Sequence, residues 1–349
     1  MNMKPLLLPK TWFVATALVA FTSAGLARTI TVDPKTPGAC RTLAEAASQL
    51  RAGDTLQIAA GTGPYREPLY IRASGTPEAP IVIEGNGNEI TGFDPLVFSP
   101  LPDGRLAATV PTEYPFVLRH AGRRVKEDAQ TNQFEGGVTY ERAENRLVLA
   151  PGVSAEGWEI SVRQFAVRIS NASYHVYRDI DATGSRNDGF NLHGDGRGLV
   201  FEAVSGRQNL DEGFSSHGTM ECEIRNARFS ENDNGILNGQ QTVTRLENVD
   251  VFDNVGFGIG FNGEARIDAV NVRSWGNGVS QLLLRAGVKP RFESVRIYRN
   301  ANTSRRWLSY MESARWPRLT TMSVDRDVVW EGEPLTPLSL TAPADVSAR

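Results

Sequence analysis

Two octapeptides, NDGFNLHG at 187–194 and DEGFSSHG at 211–218, place an acid five residues before a histidine. Between them they supply three carboxylates, Asp188, Asp211 and Glu212, and two imidazoles, His193 and His217. Clustered carboxylates repel one another unless they are protonated, screened or bridged by a cation. Calcium takes roughly six to eight oxygen ligands, which three acids, turn carbonyls and water can provide. The same acids could equally decorate solvated turns, where Asp and Asn stabilise bends through local hydrogen bonds. Imidazole titrates near neutrality and serves as general base or acid. Two of them with nearby carboxylates could also hold a transition metal such as zinc. The third reading is a polar ladder running from His193 and His217 to Asn238 and Asn262. Farther along, Arg285, Lys289 and Arg291 could bind the carboxylates of a polyanionic sugar, or act as base and charge neutraliser, or simply be solvated. Trp275 could stack on a sugar ring, whereas His120 and His175 have no comparable partners.

For these residues to meet, the chain must bring the two octapeptides together, and a repeat does so. The pattern apolar-x-x-apolar-x-apolar recurs at Tyr177/Ile180/Ala182, Ile224/Ala227/Phe229, Leu246/Val249/Val251, Ile267/Val270/Val272 and Phe292/Val295/Ile297, with a weaker copy at Phe201/Val204/Gly206. Its first positions lie 21 to 25 residues apart. Polar turns such as SRNDG, RQNLDEG, SENDNG and FDNVGFG follow most copies, and then a second short alternating strand. Phe190/Leu192, Phe214/Ser216 and Ile259/Phe261 face one way on that strand; Asn191/His193, Ser215/His217 and Gly260/Asn262 face the other. No 3.6-residue period runs through these segments, which excludes helical repeats. Short strands and sharp turns at this period describe an all-β chain, a parallel β-helix with one coil per repeat. Right-handed crossovers are the expectation. Coils stack at about 4.8 Å, so equivalent residues of successive repeats become neighbours.

The solenoid is expected to span 28–300. The segment 42–51, TLAEAASQLR, reads as an amphipathic helix covering the first coil, and 136–152 as a hairpin inserted around an AEN turn. Residues 301–349, with Trp307, Trp316 and Trp330, read as a C-terminal cover. Residues 1–27 combine Lys4 and Lys10, an apolar run and a small-residue stretch in which Gly25 and Ala27 fit a signal-peptidase site. The expected mature chain begins at Arg28, is secreted or periplasmic, and has no membrane span. Its formal charge moves from −3 to −5, because two lysines and no acids leave with the segment. That balance does not suit nucleic acid, which demands a basic footprint. Cys40 and Cys222 are expected as free thiols, Cys222 filling the core.

The stretches ACRTLAEAASQLRAGDTLQIAAGT and RASGTPEAPIVIEG resemble secreted right-handed parallel β-helix proteins of the pectate-lyase-like class, over nearly the whole mature chain. A narrower resemblance is to polysaccharide lyase family 9. It rests on Asp188-Gly189-Phe190, Asp211-Glu212-Gly213-Phe214 and Gly258-Ile259-Gly260-Phe261-Asn262-Gly263. This resemblance implies that Asp188, Asp211 and Glu212 stand where the family binds calcium. The sequence departs from the family pattern at three places. Ser215 replaces a further carboxylate, His193 stands where the first phrase carries lysine, and Gly260 replaces the lysine that serves as base.

Two functions follow as expectations. One is a monomeric, calcium-assisted lyase of acidic, uronic-acid-containing polysaccharide, with His193 or His217 taking the proton; a glycoside hydrolase on the same scaffold is its variant. The other is a non-catalytic glycan-binding or cell-surface structural β-helix.

Overall fold

The computed structural model describes residues 26–127, 133–298, 327–330 and 338–341. The expected signal segment therefore lies almost wholly outside the described residues, as does most of the expected C-terminal cover, Trp307 and Trp316 included.

The chain winds into a parallel β-helix. One twelve-stranded sheet runs from Thr29–Val32 to Leu338–Thr341, and an eight-stranded sheet runs from Leu69–Ile71 to Val328–Trp330. The second is the site sheet; its strands are Leu69–Ile71, Val167–Ser170, Phe190–His193, Glu212–Ser216, Asn234–Asn238, Phe257–Phe261, Ser280–Leu284 and Val328–Trp330. Alternation sends Phe190, Phe214, Ile236, Ile259 and Leu282 of these strands into one core with Tyr177, Phe201 and Phe229 from the long sheet. Tyr177 and Phe201 stack with centroids 5.0 Å apart, and Phe214 meets Phe201 edge-on at 5.0 Å.

The register corrects one coil of the expected repeat. Tyr177 pairs with Phe201, Phe201 with Ile224, Ile224 with Leu246, Leu246 with Ala269 and Ala269 with Phe292. The coil read as starting at Ile267 thus starts two residues later. Ile267 and Ala269 both face inward, so hydrophobic alternation cannot detect the slip there, whereas Val270, expected inward, lies outside the core because the bend at Asn271 interrupts the alternation.

Long-sheet strands bend in the middle at a residue with left-handed φ: Asp179, Ala203, Asn226, Asn248 and Asn271 lie between +49° and +55°. Asparagine tolerates that region better than most residues. Asn271 Nδ2 donates to Asn248 Oδ1 at 2.7 Å and Asn248 Nδ2 to Asn226 Oδ1 at 3.1 Å, forming an exposed ladder. A second, buried ladder fills the corner before the site sheet. Asn209, Asn232 and Asn254 each accept, through Oδ1, the backbone N–H of residue 185, 209 or 232 on the coil before; Asn277 does the same for Asn254. Each buried carboxamide satisfies backbone groups that the sharp corner leaves unpaired.

The segment expected as a ten-residue helix is helical only at Leu43–Ala47, with Leu43, Ala46 and Ala47 buried. Thr42 Oγ1 accepts from Glu45 N at 3.1 Å, and the chain then turns because Asp54 takes Arg51 N at 3.0 Å. Residues 136–152 contain the antiparallel pair Val138–Glu141 and Arg146–Leu149. That pair belongs to a larger antiparallel unit, from Phe93–Pro95 to Trp158–Ser161, with its own core around Phe116, Leu118, Leu147 and Trp158. Cys40 and Cys222 are free and buried, and burial pushes the Cys222 thiol up to about 12. Among the described residues no helix is long and apolar enough to cross a membrane.

Candidate functional site

Pairing of Phe190 with Phe214 and Asn191 with Ser215 superposes the two octapeptides on adjacent coils. Asp188 then lies beside Glu212, whose column continues to Asn234. Asp188, Asp211 and Glu212 each offer an oxygen within 4.8 Å of the others. All three are 1–2% exposed. Burial is the main force raising the Glu212 carboxyl well above the usual range, with Asp211 and Asp188 adding repulsion. In the absence of a cation, Glu212 is therefore the acid that keeps a proton.

A hydrogen-bond network leads from these acids toward the middle of the strand. Asn191 Nδ2 donates to Asp188 Oδ2 at 2.6 Å, and Ser215 Oγ donates to the same oxygen at 2.5 Å. Glu212 N points at Asp188 Oδ1 (3.3 Å), and the Asn187 carboxamide, turned with its nitrogen toward the acids, donates to Asp188 Oδ1 at 2.8 Å and Asp211 Oδ2 at 3.1 Å. Ser215 is thus a donor that fixes Asp188. Asn191 Oδ1 is buried and accepts no hydrogen bond among the described residues. The three carboxylates form a hard, enclosed oxygen set that could hold a metal ion.

His193 and His217 stack at the other end of the same two strands, centroids 4.5 Å apart and ring planes 23° from parallel. Asp188 stands two residues before the strand Phe190–His193, and His193 sits at that strand's far end, outside the cluster of acids. Acids and imidazoles accordingly form two groups joined through Asn191 and Ser215, not one shared metal shell. His193 is exposed and His217 half-buried. Partial desolvation lowers the His193 pKa below 6.5, Asp188 opposes that, and Arg168 adds to it.

The ladder expected through Asn238 does not form. Asn238 pairs with Ser216 and is fully buried, and the coil after His217 presents Gly239 in its place. Successive bonds from Gly239 N to Ser216 O, Asn262 N to Asn238 O and Arg285 N to Phe261 O define the column His217, Gly239, Asn262, Arg285. Arg285 is thus three coils from His217, roughly 14 Å. Lys289 is not on this face at all. It pairs with Arg266 in the long sheet and lines an open groove of about 530 Å³ with Asp268 and Arg291. Arg291 closes an ion pair with Asp268 at 2.7 Å. Trp275 stacks on Phe252 at 4.6 Å, so a neighbouring side chain already covers one ring face. His175 is buried between Tyr177 Oη (2.9 Å) and Ala73 O (2.7 Å), and His120 stacks on Trp158 at 4.2 Å.

Sequence reasoning passed over Asn191 and Ser215 as links and Arg168 as a neighbour. Arg168 sits beside Asn191 on the preceding coil. Its strand, VRIS at 167–170, shows alternation but lacks the Gly-Phe phrase that marks the next two coils. Arg124, from the antiparallel unit, is another such residue. Its guanidinium donates to Asn209 O at 3.0 Å and to Glu231 O, and it feels the charge of Asp233 one coil beyond Asp211.

No protein-family model matches the sequence, and no curated protein matches it. The fold is similar to that of solved structures. In the complex of XylC with xylose the TM-score is 0.54 at 12% identity, covering 78% of this chain and 61% of that one. This chain thus spans about three-fifths of the XylC length. A structure described as a glycoside hydrolase gives 0.50 at 10% identity, covering 90% and 96%. The pectate lyase Pel9A gives 0.42 at 13% identity, covering 77% and 79%. The likeness is one of fold.

Proposed function

We propose that this chain is an exported, monomeric, polysaccharide-active enzyme of the lyase type, acting on a polymer that contains uronic acids. The observation that carries the reading is the stacked His193–His217 pair on the outer face of the site sheet, electrostatically tied to a buried carboxylate cluster. Elimination removes the proton at C5 of a uronate, breaks the bond from C4 to the glycosidic oxygen and leaves a C4=C5 double bond. Its base must be neutral at working pH, and the lowered pKa of His193 keeps that imidazole neutral at pH 7. His217, stacked against it, restrains its ring; either imidazole can accept the C5 proton and return it to the departing oxygen or to water. Asp188, Asp211 and Glu212 would hold calcium, which would supply positive charge beneath the histidine-bearing strands and relieve the repulsion among the three acids. Asn191 and Ser215 hold Asp188 in the orientation that connects the two groups.

Hydrolysis is the less favoured chemistry. Paired carboxylates of glycosidases flank an accessible bond at roughly 5–10 Å, whereas these three converge within 4.8 Å and are buried. A non-catalytic glycan binder is favoured by one observation. At Gly260, the place of the family's lysine, a Cβ would meet Leu237 Cδ1 at 2.5 Å.

The test incubates the protein with pectate, alginate and glycosaminoglycan, with calcium and with chelator, and follows ultraviolet absorbance of the unsaturated product. A rise that His193→Ala plus His217→Ala removes supports the lyase. Glycan binding with no absorbance change on any uronate polymer would leave the binder.

A further inference from the structure

Arg72 and Arg168 are both held on the ring of Tyr70. The guanidinium carbons lie 5.1 Å and 5.5 Å from its centroid, and Arg168 is also 5.3 Å from that of Phe165. Tyr70, Arg168 and Asn191 form one outward column of the site sheet. Arg72 follows Ile71, which places it in the column of Ser170 and His193, two coils before the histidine. Both arginines are exposed and Tyr70 is half-buried.

Some long-sheet arginines are tied to acids, while Arg228, Arg266 and Arg296 close no ion pair among the described residues, so what sets Arg72 and Arg168 apart is the ring they share. Arg178 pairs with Glu84 at 2.6 Å, Arg225 with Glu223 at 2.5 Å, Arg245 with Glu223 at 3.2 Å and Arg273 with Asp250 at 2.5 Å. Arg72 and Arg168 close no ion pair among the described residues. Glu67, close in sequence to Tyr70, is engaged by the backbone N–H groups of Leu43 and Ala44. Two like charges on one ring repel, and an anion seated between them reverses the sign of that interaction. A guanidinium resting by its face on an aromatic ring keeps its N–H edge for a planar anion, which it can grip with two parallel hydrogen bonds.

We propose that Arg72 and Arg168, spread over Tyr70, form an anion subsite that holds the carboxylate or sulfate of an acidic sugar unit next to the unit facing His193. This rests on the polysaccharide reading above and adds to it where the chain reads substrate charge. The two arginines would position the polymer along the outer face without touching the bond that breaks.

Isothermal titration of the full chain in chelator, at low and at physiological salt, separates this from turnover. The probes are oligogalacturonate, its methyl ester and a sulfated glycosaminoglycan fragment. The acidic probes are expected to bind at least tenfold more tightly than the methyl ester, with the advantage shrinking as salt rises. Arg168→Ala and Arg72→Ala should each weaken acidic binding by roughly tenfold and leave the ester unchanged. Arg168→Lys should recover only part, since lysine keeps the charge but not the fork. Preference between oligogalacturonate and the sulfated fragment tells which anion the subsite takes. Equal binding of acidic probes by wild type and both alanine variants overturns the subsite, as does no preference for acid over ester. Arginine-dependent binding with no turnover by the wild-type protein would sink the lyase reading and keep the subsite; turnover with binding indifferent to both arginines would do the reverse.

Discussion

The coils at 187–217 and those at 234–284 share one backbone, yet among the described residues the carboxylate cluster and the stacked imidazoles belong to the first pair. Register continues without interruption from Phe214 to Ile236, Ile259 and Leu282. The side chains diverge. The outward column that begins Asn191 and Ser215 continues as Leu237, Gly260 and Leu283, all on the site sheet. The column Asp188 and Glu212 continues as Asn234, Phe257 and Ser280. In a solenoid each coil reproduces the main-chain geometry of its neighbour, so chemistry is set by which letters occupy a few outward positions. The later coils are therefore internal controls: same strand, same neighbours in the ladder, different side chains.

The largest expected contrast is in activity. Replacing both His193 and His217 with alanine should lower turnover of a uronate polymer by about a hundredfold or more, the usual contribution of a positioned acid or base. Asn262→Ala, in the same column two coils later, should leave the rate within about twofold. Rates measured at saturating and limiting polymer separate catalysis from binding. If Asn262→Ala loses as much as the histidine pair, the site is not confined to the first two coils.

A smaller contrast lies in pH dependence. Because the Glu212 pKa is raised in the folded state, folding takes up a proton there. That stabilisation is complete below the unfolded value near 4.5 and is lost as pH climbs through the raised one. The chelated protein should lose up to about 1 kcal/mol per pH unit within that window. Calcium should raise the melting temperature most at the upper end, where the acids are ionised. Glu212→Gln should flatten the pH dependence of the chelated protein and weaken its response to calcium, whereas Asn262→Ala, in a coil without these acids, should leave both intact. Melting curves from pH 5 to pH 9, with calcium and with chelator, provide the check. An unchanged slope in Glu212→Gln would place the proton elsewhere.

Periodicity made the solenoid and the meeting of the histidines legible, because both follow from alternation and a repeat near 23 residues. It could not read what a two-residue period leaves degenerate. Ile267 and Ala269 both point inward, so the expected coil slipped by two. Asn238 looked like a step in an exposed ladder, but it occupies the inward position below Ser216. Lys289 and Arg285 stand four residues apart, yet a corner between sheets turns them onto different faces. Arg168 was missed for the converse reason. It stands one 23-residue coil before Asn191, but the coil before it is Leu69–Ile71, because 93–165 leaves the solenoid and lets those two strands pair across the gap. Alternation reports facing; it does not report which distant strand returns to fill the next rung.

The finest contrast asks whether the backbone under the site is as ordinary as the comparison requires. Asn209 lies in the coil of the carboxylates and Asn254 two coils on, and both belong to the buried ladder. Asn209 Oδ1 receives Ser185 N at 2.9 Å, and Asn254 Oδ1 receives Asn232 N at 3.0 Å. Alanine at either place orphans a buried N–H, which costs about 1–3 kcal/mol. If the main chain is uniform, the two losses should agree within about 0.5 kcal/mol in the chelated protein. Asn209 has one added neighbour, Arg124, whose guanidinium donates to its carbonyl oxygen and links the antiparallel unit to this corner. That bond runs to the backbone and survives the substitution, so it should not widen the difference. An excess loss at Asn209, measured by chemical denaturation and abolished in an Arg124→Met background, would mean that the antiparallel unit braces the coils beneath the site. The two regions would then differ in their support as well as in their side chains.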